Sequence, residues 1–207
     1  MPPSLAEVQD AARDVIRIMK TVPSLSRAQI AVIGGMAVWN YIPKGRSTEH
    51  IDFYISLDGP KSVKPILLAL DNSPFVEKAQ WFYYVNSDNT WIQIDFVGSF
   101  QAPHAPKDSM IIKDIPDGNI PYLKRIDLIV YKIYSCGLRS DTAKSQIDAM
   151  DAETLLKKEV ESNGRVVLQG TQLSHVHNSL PAILQYSNND KKWWMINLGL
   201  VESVEST

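Results

Sequence analysis

The chain has 207 residues, 44% of them hydrophobic and 21% charged, enough to bury a sizeable core as one domain or one domain with a helical extension. Its net charge of -2 supplies no overall pull toward nucleic acid or a membrane surface, so a nucleic-acid partner is not favoured and a polyanion would need a local patch. A single cysteine, Cys136, excludes an internal disulfide, no basic-then-apolar leader opens the chain, and no apolar run approaches membrane-span length; the expectation is a cytosolic protein with no membrane partner, the nucleus remaining open.

Ser4 to Glu7 form a capping box, and Leu5, Val8, Ala12, Val15, Ile16 and Met19 then recur at helical spacing, which predicts an amphipathic helix over residues 4–21. Gln29 to Ile33 is an apolar run ended by Gly34 and Gly35, as in a buried strand entering a turn where glycine permits close approach. A short helix is expected from Met36 to Tyr41, then a loop at Pro43 and Gly45. His50 to Ile55 alternates as a strand, with His50, Asp52 and Tyr54 on one face, the expected working face, and Ile51, Phe53 and Ile55 on the other.

Lys61 to Leu70 reads as a helix. Trp81 to Val85 and Thr90 to Val97 read as two strands joined by the turn Asn86 to Asn89. The proline-rich stretch from Ser99 to Asn119 is expected on the surface, with Met110 to Ile112 as an edge strand. From Pro121 onward the periodicity is helical: Tyr122 to Tyr134, Asp141 to Val160, Thr171 to Gln185 and Lys192 to Leu198. The expected architecture is an α/β (α+β) fold, a mixed sheet of four or five strands packed by helices over residues 1–120, with a C-terminal helical region over 121–207 packed on it.

The chemistry-bearing pattern is the repeated triplet Ile51-Asp52-Phe53 and Ile94-Asp95-Phe96, in which an acid between large apolar residues points to one sheet face while its neighbours enter the core. A single such acid is ordinarily a solvated residue on a half-open sheet. Two in matching contexts behind a double glycine suit a divalent cation, since magnesium prefers carboxylate oxygens. His50 is open to three roles: an unusual metal ligand, a general base with an unperturbed pKa of about 6.5, or a structural histidine.

Taken together, Gly34-Gly35, the Arg46-Ser47-Thr48 lead-in, the acidic strand and Asp95 resemble the nucleotidyltransferase fold, in particular the small bacterial-type nucleotidyltransferases and the AbiEii-like group, with His50 where the family has its first aspartate. Lys132, Arg139, Lys144, Asp148 and Asp151 extend the resemblance over residues 30–160. It implies divalent-metal-dependent transfer of a nucleotidyl group from a nucleoside triphosphate to a small molecule, protein or RNA end. In that reading Asp52 and Asp95 hold Mg2+ or Mn2+ and are catalytic with His50, while Gly34, Gly35, Arg46, Thr48, Lys132 and Lys144 hold the nucleotide. The alternatives are a degenerate member serving as a ligand- or partner-binding module, or the same cleft used for metal-independent chemistry with His50 as acid or base. For Lys144 and Asp148, four apart, a plain helical ion pair is equally open.

Smaller signals point to structure. His175 and His177 do not share a helical face. Lys191, Lys192, Trp193 and Trp194 suit a terminal helix docked on the core or on a second subunit, so a homo-oligomer through that helix is open. Cys136, on an apolar helix, is expected buried and inert.

Overall fold

A computed structural model describes residues 3–43 and 47–200 of the chain, which divides into two compact units, Met1–Leu123 and Lys124–Thr207. The first opens with helix α1 (Leu5–Thr21), whose N-terminus is closed by the reciprocal Ser4 and Glu7 bonds. Its buried stripe is Val8, Ala11, Ala12, Val15, Ile16 and Met19, the periodicity that the sequence displays. A one-turn helix α2 (Pro23–Ser26) leads into strand β1 (Gln29–Ile33), helix α3 (Gly34–Tyr41), β2 (His50–Ile55) and α4 (Pro60–Leu68). Strands β3 (Phe75–Lys78), β4 (Trp81–Val85), β5 (Trp91–Gly98) and β6 (Met110–Ile111) complete a six-stranded mixed sheet of order β3-β4-β5-β2-β1-β6.

The central pair decides the site. β2 and β5 run parallel, and their register sets Ile51 beside Ile94, Asp52 beside Asp95 and Phe53 beside Phe96. The repeated triplet is thus laid side by side: the Phe53 and Phe96 rings stack at 5.8 Å on the core face, and both acids turn to the other face. Phe75, Phe82 and Tyr84 extend that aromatic core, with Phe75 and Phe82 stacked at 5.4 Å. The Tyr84 hydroxyl donates to Asp14 of α1, and burial together with this acid pushes its phenol up to about 12.

Three expectations are corrected. The sheet has six strands rather than four or five, because β3 pairs with β4 through the two-residue turn Ala79-Gln80; no Gly, Asn or Asp marks it, and Ala79 takes φ +55° there. Tyr54 is 1% exposed, so the open face ends at Asp52. The helix expected from Tyr122 begins only at Arg125, because Pro121 to Leu123 bond the edge of β1: the Val32 N–H donates to the Pro121 carbonyl at 2.7 Å and Leu123 N–H to Val32 at 2.9 Å. β6 and this segment cover a strand edge that would otherwise present unpaired backbone groups.

The second unit holds α5 (Arg125–Leu138), α6 (Thr142–Asn163), α7 (Thr171–Leu184) and α8 (Lys191–Asn197). α5 packs on α6 and α7 through Leu128, Ile129, Ile133, Leu155, Leu156, Val176 and Ile183, all fully buried. Asp141 caps α6 and Asp190 caps α8. Trp194 is fully buried within this unit, its indole N–H donating to Ser187 at 2.8 Å, while Lys157 lies 5.7 Å over the Trp193 ring. No helix among the described residues is long and apolar enough to cross a membrane.

Candidate functional site

β1 ends at Ile33, opposite Asp52, and the chain turns at once into α3. Gly34 has φ +64°, and a Cβ added there would overlap the Asp52 carboxyl group. Glycine is therefore required twice over: for the left-handed backbone and for the space that Asp52 occupies. The consequence is a carboxylate laid against the N-terminal turn of an eight-residue helix, where backbone N–H groups are unsatisfied by the helix itself.

On the open face the register builds a two-by-two array. His50 stands beside Gln93, and Asp52 beside Asp95. Within each strand the residue two before the acid contacts it: His50 Nε2 lies 3.8 Å from Asp52 Oδ2, and the Gln93 amide donates to Asp95 Oδ2 at 2.7 Å. The side chain of His50 is 43% exposed and that of Asp52 21%, so the array is open to a ligand from one side. Two carboxylates on adjacent strands, about 4.8 Å apart at the backbone, repel one another unless a proton or cation comes between them. Gln93 was not among the residues singled out from the sequence, although it precedes its acid by the same two residues as His50 does.

Thr48 sits at the entrance to β2, 5% exposed, its hydroxyl donating to the His50 carbonyl at 3.3 Å. It shapes the strand that carries the acid. Gly35 is buried in the first turn of α3. Arg46 lies outside the described residues. Among the described residues no group of three or more His, Cys, Asp or Glu side chains could hold a metal ion by itself.

In the second unit Lys132 is 5% exposed and bonds Asp148 at 2.7 Å and Asp151 at 2.8 Å, while Arg139 bonds the other Asp148 oxygen at 2.9 Å. Lys144 is exposed in the first turn of α6, and it is Lys132 and Arg139 that take Asp148. The sequence pattern Lys, Arg, Asp-x-x-Asp therefore corresponds to a buried ion cluster joining α5 to α6. Cys136 lies against it, its thiol donating to the Ser145 carbonyl at 3.5 Å; burial, with Asp148 nearby, pushes that thiol up to about 11. His175 packs edge-on against Tyr134 at 5.2 Å.

No family model matches the sequence, nor does any curated protein. Among solved structures, the chain is similar to an antigenic nucleotidyltransferase-like protein from Paracoccidioides brasiliensis, with a TM-score of 0.59 and 15% identity over 89% of this chain and 90% of that one. At that identity the likeness establishes the fold: a nucleotidyltransferase-like mixed sheet packed by helices.

Proposed function

We propose that this chain binds a nucleoside triphosphate with Mg2+ or Mn2+ at Asp52 and Asp95 and transfers the nucleotidyl group to an acceptor hydroxyl, as a cytosolic relative of the AbiEii-like nucleotidyltransferases. The observation that carries the reading is the in-register pairing of Asp52 with Asp95 on the parallel centre of a nucleotidyltransferase-like sheet, with the first turn of α3 against Asp52. The donor set suits the cation as a half-site: in nucleotide enzymes magnesium takes one or two carboxylates and draws its remaining ligands from phosphates and water. An imidazole nitrogen beside Asp52 suits manganese better than magnesium, which holds to oxygen ligands. When bound, the cation supplies charge to offset the phosphates.

The protein's own groups do the rest. Backbone N–H groups of Gly34 and Gly35 at the start of α3 bind the β- and γ-phosphates, a role in which Arg46 joins them. Thr48 orients β2, and within the second unit the Lys132 cluster holds α5 to α6. The acceptor oxygen bonds to the α-phosphorus, the bond to the β-phosphate oxygen breaks, pyrophosphate leaves, and the hydroxyl proton passes to His50 Nε2.

Calorimetric titration with ATP, GTP, CTP and UTP, each with magnesium and with manganese, tests this reading beside an Asp52→Asn control. Metal-dependent binding that disappears in the control is expected; no binding to any of the four overturns it. A second reading, a nucleotide-binding module without turnover, is favoured by the histidine at position 50 and by the lack of a three-group metal cluster among the described residues. Pyrophosphate release separates the two: under the second reading it is absent in the native chain and emerges in His50→Asp.

A further inference from the structure

The sheet face that carries the two acids continues into an exposed aromatic strip. Tyr83 pairs with Gln93 and Val85 with Trp91, so Trp81, Tyr83, Trp91, Gln93 and Asp95 all project from the same face. Trp81 and Trp91 are each 43% exposed, and Tyr83 meets Trp91 edge-on at 5.4 Å. The opposite residues of the same strands, Phe82, Tyr84, Ile92, Ile94 and Phe96, are buried in the core, so the strands have no need of these three rings for their packing.

Strand order gives the strip its relation to the acids. Along the sheet, Gly34 follows β1, Asp52 is on β2, Asp95 on β5, and Trp81 and Tyr83 on β4. If the phosphates of the donor lie at the start of α3, pyrophosphate departs on the β1 side of the carboxylates. In-line displacement then requires the attacking oxygen to arrive from the other side, over β5 and β4. That approach crosses the aromatic strip.

We infer that Trp81, Tyr83 and Trp91 form the acceptor subsite, and that the acceptor is a small nucleoside-like compound, a flat heteroaromatic ring bearing the reactive hydroxyl. This rests on the nucleotidyl-transfer reading. A flat ring is favoured because every such ring can stack on exposed Trp and Tyr faces, and the Gln93 amide and Asp95 carboxylate at the head of the strip can meet its polar edge. A polynucleotide is disfavoured because Lys78, in register with Trp81, is the cation that the pairing brings to the strip, while long single strands need a groove of many.

The test is equilibrium dialysis of the full chain with adenosine while α,β-methylene ATP and Mn2+ fill the donor site. One adenosine bound per chain is expected, with affinity reduced about tenfold in Trp81→Leu and in Trp91→Leu and retained in Trp81→Phe, the range that loss of one stacked base implies. Binding of the ATP analogue should be the same in all four proteins. Adenosine affinity unchanged in both leucine variants overturns the inference, as does hexa-adenylate binding tenfold tighter than adenosine with a steep salt dependence. If the analogue fails to bind, the nucleotidyl-transfer reading falls, and adenosine titrated against the free protein and the leucine variants still decides the platform by itself.

Discussion

The molecule contains two pairs of aspartates built to opposite ends. Asp148 and Asp151 of the second unit are nearly buried and are met by Lys132 and Arg139 at 2.7 to 2.9 Å, so their charge is balanced inside the fold. Asp52 and Asp95 of the first unit are only half-buried, aligned side by side on neighbouring strands, with an imidazole and an amide as in-strand neighbours. The same logic governs two other buried acids of the second unit: Glu159 meets Arg125, and Glu153 is bonded by Lys157, Ser187 and the Asn188 N–H. Where a carboxylate is answered by a cation of its own unit it holds helices together; where two are aligned and open, they suit a cation that comes with a ligand.

The largest expected effect breaks the first kind of pair. Lys132→Met leaves Asp148 and Asp151 without their buried ammonium and should lower stability by about 3 to 5 kcal/mol, measured by urea unfolding. A cost below about 1 kcal/mol would show that the cluster is solvated and that its charges are not balanced inside the fold.

Next is Gly34→Ala. Left-handed backbone costs an L-residue about 1 to 2 kcal/mol, and the overlap with the Asp52 carboxyl adds a comparable amount, for a total of about 2 to 4 kcal/mol. The same variant should lose manganese-nucleotide binding, since Asp52 must move to admit the methyl group.

Asp95→Asn should act in the opposite sense on the two observables. It removes a like charge from beside Asp52 and is expected to leave stability unchanged or raised by up to about 1 kcal/mol, while abolishing metal-dependent nucleotide binding. A large loss of stability would place Asp95 with the structural acids instead.

The smallest effect reports on the surroundings of the buried cluster. The Cys136 thiol is pushed up from its ordinary value of 9.0 to about 11, first by burial and then by Asp148. Because the folded state disfavours the thiolate, this contribution to stability is intact below pH 9 and is lost as pH rises toward 11. At pH 8 a thiol reagent should label the native chain slowly and the urea-unfolded chain fast; equal rates would mean that α5 and α6 open readily.

Much of the fold was legible along the chain because its signals are local. The capping box and apolar stripe of α1, the alternation of β2 and β5, and the four C-terminal helices each lie within one segment, and the structure places them within a few residues of the expected bounds. β3 was not legible, since four residues with two exposed and a turn lacking Gly or Asn carry little local information. The start of α5 was misplaced for a different reason: residues 121–123 have helical periodicity, but bonding to the edge of β1 satisfies backbone groups that helix formation there would leave to water.

By itself the sequence determined the identity of the two Ile-Asp-Phe triplets, the glycine pair before α3 and the histidine at position 50. It could not determine that the triplets lie side by side, because strand order and register are set by long-range pairing between residues far apart in the chain, Asp52 and Asp95. Nor could it assign the Lys132 group to a buried cluster, or show that Gln93 repeats the place of His50 and that three aromatic side chains share the acids' face. The cluster arises when α5 packs on α6, and the other relations when the sheet forms around its parallel centre, where one register converts a repeated triplet into a stacked core on one side and a paired acidic site on the other.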